Sequence, residues 1–176
     1  CMNSEKSIHY FSQKETVSKK IDKGMLGIRG RQANEFAELG LPILPGFIID
    51  SELASSLEGE QVYKLVSPYL RKCSDVVGKS FGDQDNPLLM KLVISPNLAI
   101  ANYPTLHNFG LTKNTIAGFE KWVGTNFAAH EVLFLLRGIL SIQLQCAQLE
   151  ERKIEVSALE VALKEIGECL KTGKIE

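Results

Sequence analysis

The pattern of hydrophobic and polar positions in the first half of the chain predicts short strands among helices. Ile8–Phe11 is a candidate for a first short strand. Gly46–Asp50 predicts a second strand, because its Phe-Ile-Ile run favours extended backbone and the prolines at positions 42 and 45 exclude a helix there. The apolar run Leu88–Ser95 predicts a third strand that is mostly buried.

Other segments of the first half have helical features. Arg31–Leu39 is rich in helix formers and predicts a helix. Asp50 can cap a short helix from Glu52 to Leu57. Apolar residues recur at every third or fourth position over Val62–Val77, which predicts a long amphipathic helix. Pro68 lies inside it and predicts a kink or a restart of the helix.

The second half of the chain has helical spacing throughout. Thr112–Val123 predicts one helix. Asn126 can cap the next helix, which runs towards Leu144. Ser157–Glu160 has the spacing of a capping box, which predicts that the last helix begins there.

These elements predict an α/β (α+β) lobe over residues 8–101, followed by a helical segment over residues 102–176 that packs on the lobe. A chain of 176 residues that is 44% hydrophobic can bury a core. Its 20 basic and 21 acidic residues leave a net charge of -1, which argues against general nucleic-acid binding.

Membrane and secretion signals are weak in this sequence. The longest apolar stretch, Val132–Leu140, is interrupted by Arg137 and is too short to span a bilayer. The amino terminus has no apolar leader. Four cysteines lack the spacing of a zinc site or a disulfide framework: Cys1, Cys73, Cys146 and Cys169. We therefore predict a cytoplasmic protein that contacts neither membrane nor nucleic acid.

Several motifs occur in the order found in one enzyme family. LGIRGRQANEFAELGLPILPGFIID (26–50) resembles the nucleotide-binding, ATP-grasp region of pyruvate phosphate dikinase, where a glycine-rich loop opens a helix that leads into a Gly-Leu-Pro-x-x-Pro-Gly-Phe strand. FGDQDNPLLMKLVIS (81–95), PTLHNFGLTKNTIAGF (104–119) and NFAAHEVLFLLRGI (126–139) resemble later motifs of that region. The resemblance runs collinearly from about residue 10 to about residue 142.

The resemblance implies a phosphate-contacting loop at Gly27, Arg29 and Gly30. Arg29 stands where the family has a lysine that contacts ATP phosphates, and Ile28 replaces a glycine of the family's loop. ATP with magnesium is the cofactor that the resemblance implies. An arginine keeps the charge but presents a planar fork in place of a point charge.

Other matching positions depart from the family pattern. Val93 stands where the family has an arginine that stabilises the transferring phosphates, and Lys91-Leu92-Val93-Ile94-Ser95-Pro96 replaces a Ser-Val-Arg-Ser-Gly-Ala run. Phosphoryl transfer relies on positive charge placed around the phosphates. The family's magnesium carboxylates lie in a later subdomain. We therefore predict no catalytic and no metal-binding residues in this chain, and read His107 and His130 as structural.

Three functions remain open from the sequence. The chain is a dikinase-like lobe that is inactive alone and serves in binding or assembly, or it is the ATP-binding piece of an active dikinase-type phosphotransferase. The third alternative is a small nucleotide or phosphate sensor that binds without transfer. We favour the first, because of Val93 and the missing magnesium ligands.

Aromatic residues are crowded in the helical segment. Five of them fall within 26 residues: Phe109, Phe119, Trp122, Phe127 and Phe134. Large exposed apolar patches usually mark interaction sites. The crowding predicts self-association or a protein partner through residues 103–137, and the alternative is that these rings form one internal core.

Overall fold

The computed structural model describes residues 7–17, 21–96 and 105–173, which form two compact units. Among the described residues, the first unit combines 7–17 and 21–80 with 94–96, and the second combines 81–93 with 105–173. Each unit contains a two-stranded antiparallel sheet and three helices in its described part. The predicted mixture of helices and strands is therefore confirmed.

The first unit is built on an antiparallel pair of strands, β1 and β2, with the first helix between them in the chain. Its elements are β1 (Ile8–Phe11), α1 (Gly27–Glu38), β2 (Gly46–Ile49), α2 (Ser51–Ser56) and α3 (Gly59–Val77). The strands run antiparallel with Ile8 opposite Ile49. Ile8, Leu53 and Val66 form the buried cluster that joins the sheet to α2 and α3.

Asp50 occupies the predicted cap position at the start of α2. Its side-chain Oδ1 accepts a hydrogen bond of 2.9 Å from the backbone N–H of Leu53, and the residue is fully buried. This cap satisfies a backbone donor that the helix leaves without an internal acceptor. Pro68 lies inside α3, which continues as one helix, so the predicted alternative of a restart is wrong.

The second unit combines the other strand pair with three helices. Its elements are β3 (Met90–Val93), β4 (Thr105–Phe109), α4 (Ile116–Val123), α5 (Thr125–Leu149) and α6 (Lys153–Thr172). Leu92 of β3 lies opposite Leu106 of β4. The buried cluster consists of Leu111, Phe119, Ala128 and Leu135.

Gly118 shows how closely the elements of the second unit approach each other. A β-carbon on Gly118 would lie 2.2 Å from the carbonyl oxygen of Gln84, so the side of α4 at this point is in direct contact with the backbone of the loop before β3. Lys121 pairs with Asp85 of the same loop at 3.0 Å.

The starts of several helices differ from the sequence-based expectations. α1 begins at Gly27 rather than Arg31, and α4 begins at Ile116 rather than Thr112. α5 begins at Thr125 with Gly124 as its cap rather than Asn126, and α6 begins at Lys153. The Ser157–Glu160 capping box therefore lies inside α6, because the helix starts one turn earlier, after Arg152.

The strands of the second unit also differ from expectation. β3 is short, and its Lys91, Leu92 and Val93 are exposed, so the prediction of a mostly buried strand is wrong. β4 was not predicted. Because β3 pairs with β4, residues 81–93 belong to the second unit together with α4, α5 and α6. The sequence-based prediction placed residues 81–93 in the α/β lobe over 8–101.

Helix α5 is unusually apolar for a helix with so little buried surface. By length and composition alone it could cross a membrane, although the shorter Val132–Leu140 run predicted that no segment could. A single helix of this kind is weak evidence for a membrane span. α5 also carries Glu131 and Arg137, and its Ala128 and Leu135 belong to the core of the second unit.

Candidate functional site

The three residues predicted to contact phosphate lie together in the first turn of α1. A short 3₁₀ turn (Lys23–Leu26) leads into this helix, and the side chain of Asp22 caps the turn by accepting from the N–H of Gly24 at 2.9 Å. Gly27 and Gly30 are buried, and Arg29 is exposed. The predicted residues therefore lie in one helical turn, with the cation Arg29 on its exposed side.

The hydroxyl group of Ser95 joins two backbone groups at the start of α1. It accepts a hydrogen bond from the N–H of Gly30 at 2.8 Å and donates one to the carbonyl oxygen of Leu26 at 2.8 Å. The sequence pattern did not indicate a role for Ser95. The feature of the sequence that could have drawn attention to Ser95 is that serine stands at this position where the family's run has glycine.

Two further amides of this turn also have acceptors inside the protein. The N–H of Ile28 donates to the carbonyl oxygen of Pro96 at 2.9 Å, and the N–H of Gly27 donates to the carbonyl oxygen of Gly24. The first amides of a helix have no internal acceptor and are the groups that bind phosphate in glycine loops. Here the amides of Gly27, Ile28 and Gly30 are already satisfied.

Both glycines are required by close packing. Gly27 has a φ of 67°, and a β-carbon there would lie 1.5 Å from the carbonyl oxygen of Ser95. Gly30 faces β2, and a β-carbon there would lie 3.0 Å from Cδ1 of Ile48. Because these two positions have no side chain, Ser95 and Ile48 can pack directly against the start of α1.

The positive charge at the start of α1 favours anions, but the backbone amides there are not open to a ligand. A helix amino terminus carries partial positive charge, and the first turn of α1 contains no acidic residue. Arg29 adds a full positive charge on the exposed side. An anion can approach the guanidinium group of Arg29, whereas the backbone amides named above already donate to protein acceptors.

The described residues contain no group that fits magnesium. No three His, Cys, Asp or Glu side chains in residues 7–17, 21–96 and 105–173 lie close enough together to hold a metal ion. Magnesium requires oxygen ligands in near-octahedral geometry. Val93, at the position of the family's arginine, is an exposed residue at the end of β3 in the second unit.

The other titratable side chains considered as candidates, His107, His130 and Cys73, are in contact with other side chains or buried in the fold. His130 Nδ1 lies 3.1 Å from Oε1 of Glu131, and the rings of His107 and Phe134 are 5.3 Å apart. Burial raises the pKa of the Cys73 thiol to about 11, so this cysteine stays protonated and unreactive at neutral pH. None of these groups lies in the loop of Gly27–Gly30.

The first unit also contains a buried pair of side chains that the sequence did not indicate. His9 on β1 and Asp50 after β2 are both buried, and His9 Nε2 lies 3.5 Å from Asp50 Oδ2. Because the other carboxylate oxygen caps α2, this pair links the sheet to the helix that follows it. Nothing in the residue spacing of His9 and Asp50 signalled the contact.

Comparison with known proteins agrees with the resemblance. No family model matches the chain. Pyruvate, phosphate dikinase of Treponema pallidum is 51% identical over 173 residues, which is 98% of this chain and 19% of that protein. Pyruvate, phosphate dikinase 2 of Zea mays is 25% identical over 73% of this chain and 15% of its own length. Pyruvate, phosphate dikinase of Clostridium symbiosum is 26% identical over 62% of this chain and 13% of its own length.

The match covers only a small part of each relative. The chain spans less than a fifth of each of these three proteins. The Treponema pallidum relative, however, matches almost every residue of the chain at high identity. The chain is therefore a homologue of one part of the pyruvate, phosphate dikinases.

Proposed function

We propose that this chain is an ATP-grasp-like lobe of dikinase type that transfers no phosphoryl group on its own and serves as a binding or assembly module. The observation that carries the proposal is the occupied start of α1. Ser95 and Pro96 accept from two of the amides that a phosphate-binding loop would present to its ligand. The collinear motifs over residues 26–139 support the ATP-grasp-like assignment.

The described residues offer few groups that could bind ATP and magnesium, which supports the same proposal. Of the predicted residues, only Arg29 has a charged side chain. Gly27 and Gly30 pack closely against other atoms of the protein. Transfer of a phosphoryl group needs several positive charges and a metal ion around the phosphates. The described residues fit neither a backbone phosphate cradle nor a magnesium site.

The assembly role is supported by exposed aromatic residues next to a buried one. Phe119 is buried, whereas Trp122 is 69% exposed and Phe127 is 52% exposed. We call the surface around Trp122 and Phe127 the α4–α5 face. Exposed apolar surface of this kind is stabilised when a partner covers it. In a dikinase-like protein, we propose that the remainder of the polypeptide covers this face.

An activity assay of the 176-residue chain tests the proposal. The purified chain is incubated with ATP, phosphate, pyruvate and magnesium, and phosphoenolpyruvate and pyrophosphate are measured. The full-length Treponema pallidum dikinase serves as the positive control, and a mock purification as the negative control. We expect no product from the chain and none from Val93→Arg, because one charge does not replace the magnesium ligands that the described part of the chain lacks. Product from the chain above the mock purification would overturn the proposal.

A further inference from the structure

A groove of about 560 Å³ lies between α5 and α6 in the second unit. His130 and Phe134 of α5 line one side, and Leu163 and Leu170 of α6 line the other. This volume lies within the range of small-molecule sites, which combine apolar walls with a few polar groups. The groove therefore presents an aromatic wall and an aliphatic wall to a small ligand.

The aromatic wall is held in position by groups that do not line the groove. The rings of His130 and Phe134 are nearly parallel, at 12°, with centroids 6.4 Å apart. Glu131 fixes His130 through the 3.1 Å contact with Nδ1, and its other oxygen accepts from Nδ2 of Asn108 at 2.5 Å. A pre-oriented wall of this kind lowers the entropic cost of binding a ring.

The charges of the groove differ in sign from the charge of the chain. Arg137, Lys164 and Lys171 line it with a single acidic residue, Glu168, so three positive charges and one negative charge leave +2. The whole chain has a net charge of -1. None of these four residues forms an ion pair with another described residue, even though Lys164 and Glu168 lie one helical turn apart.

Gly167 lies in the interior of α6 and also lines the groove. Glycine inside a helix is unfavourable relative to alanine. A β-carbon on Gly167 would meet no atom of a neighbouring element within 4 Å, so packing within the protein does not require a glycine there. Its missing side chain leaves the space of the groove open.

We propose that this groove binds a small aromatic phosphate of the nucleoside monophosphate class. The base packs between Phe134 and Leu163, and the phosphate dianion is bound by Arg137 with the two lysines, whose excess charge matches it. Glu168 accepts a hydrogen bond from a sugar hydroxyl or a base amino group. The site is in the second unit and does not depend on the function proposed for the loop of α1.

Isothermal titration calorimetry with AMP tests the proposal on the full 176-residue chain. We expect saturable binding of AMP, and binding at least about tenfold weaker for adenosine and for inorganic phosphate, because each lacks one half of the ligand. Phe134→Leu and Arg137→Gln are each expected to weaken AMP binding by about tenfold or more. Lys113→Gln, which removes an exposed charge outside the groove, is the matched control and leaves binding unchanged.

Gly167→Leu supplies an independent arm, because a β-carbon at this position meets no atom of a neighbouring element within 4 Å and the rest of the side chain extends from there. We expect circular dichroism like that of the wild type and loss of AMP binding. The proposal is overturned if AMP does not saturate the protein, or if binding persists in folded Gly167→Leu and Phe134→Leu. It is equally overturned if Arg29→Gln abolishes binding, since that places the ligand at the loop of α1.

Discussion

The carbonyl oxygen of Ser95 occupies the position next to Gly27 that any side chain at residue 27 would need. A β-carbon on Gly27 would lie 1.5 Å from this oxygen, well inside contact distance. Ser95 is also the acceptor for Gly30, 65 residues earlier in the chain. The glycine loop that resembles a phosphate-binding motif is thus closed by a distant part of the same protein.

Replacing Gly27 with alanine is expected to destabilise the first unit by about 4 kcal/mol or more, because the β-carbon clashes with backbone. Gly40→Ala is the matched control, since Gly40 has a similar φ of 70° but open space around its α-carbon. That control is expected to cost about 1–2 kcal/mol from backbone strain alone. Urea unfolding of both variants measures the difference, and equal losses would contradict the close contact with Ser95.

Removing the hydroxyl group of Ser95 is expected to cost about 1–3 kcal/mol, because Ser95→Ala leaves the N–H of Gly30 and the carbonyl of Leu26 without their partner. Ser67→Ala is the control. The Ser67 hydroxyl makes an exposed bond to the carbonyl of Lys64, and its loss is expected to stay within about 0.5 kcal/mol. If unfolding experiments show no difference between the two variants, Ser95 does not hold the loop.

The α4–α5 face is expected to cause weak self-association of the chain when no other protein covers it. Sedimentation velocity at several concentrations measures the effect. Phe127→Glu is expected to weaken association by about tenfold or more, since a charge is costly to bury in an interface. Tyr63→Glu, on an exposed aromatic residue of α3, is the control and leaves association unchanged. A wild-type chain that is monomeric at every concentration argues against this face.

Cys73 makes the stability of the protein depend on pH in the alkaline range. Burial raises the pKa of its thiol from 9.0 to about 11 in the folded protein. As pH rises through this window, the unfolded chain releases the proton while the folded protein retains it, so the free energy of unfolding falls. Below the pKa of the unfolded thiol, this contribution is fully present and does not change with pH.

Alkylation by iodoacetamide checks the environment of Cys73 directly. At pH 8, we expect the exposed Cys146 to react while Cys73 stays unmodified in the folded protein. In urea both thiols are expected to react at similar rates. Equal labelling of the two cysteines in the folded protein would show that Cys73 is accessible and would remove the basis for the pH effect.

The parts of the fold that the sequence predicted are those specified by local signals. β1, β2 and the Asp50 cap follow from β-branched runs, prolines and a capping side chain close to the elements themselves. The first turn of α1 was missed because Gly27 and Gly30 are poor helix formers. Its start is fixed instead by hydrogen bonds that the N–H groups of Gly30 and Ile28 donate to Ser95 and Pro96.

The unpredicted strand has a similar explanation. β4 contains the polar residues His107 and Asn108 and lacks a clear alternating pattern, so its extended form depends on pairing with β3. In the candidate site, the sequence placed Gly27, Arg29 and Gly30 in one loop. It did not indicate that Ser95 closes the loop, because that contact joins residues distant in the chain.

Backbone amide shifts at the start of α1 test the central claim most directly. ¹⁵N-labelled chain is titrated with ATP and magnesium, and the resonances of Ile28 and Gly30 are followed. Because their N–H groups donate to Pro96 and Ser95, we expect no saturable shift at either amide, even where residues of the groove between α5 and α6 respond. Saturable shifts of the Ile28 and Gly30 amides with ATP would show that phosphate displaces these acceptors and would contradict the account.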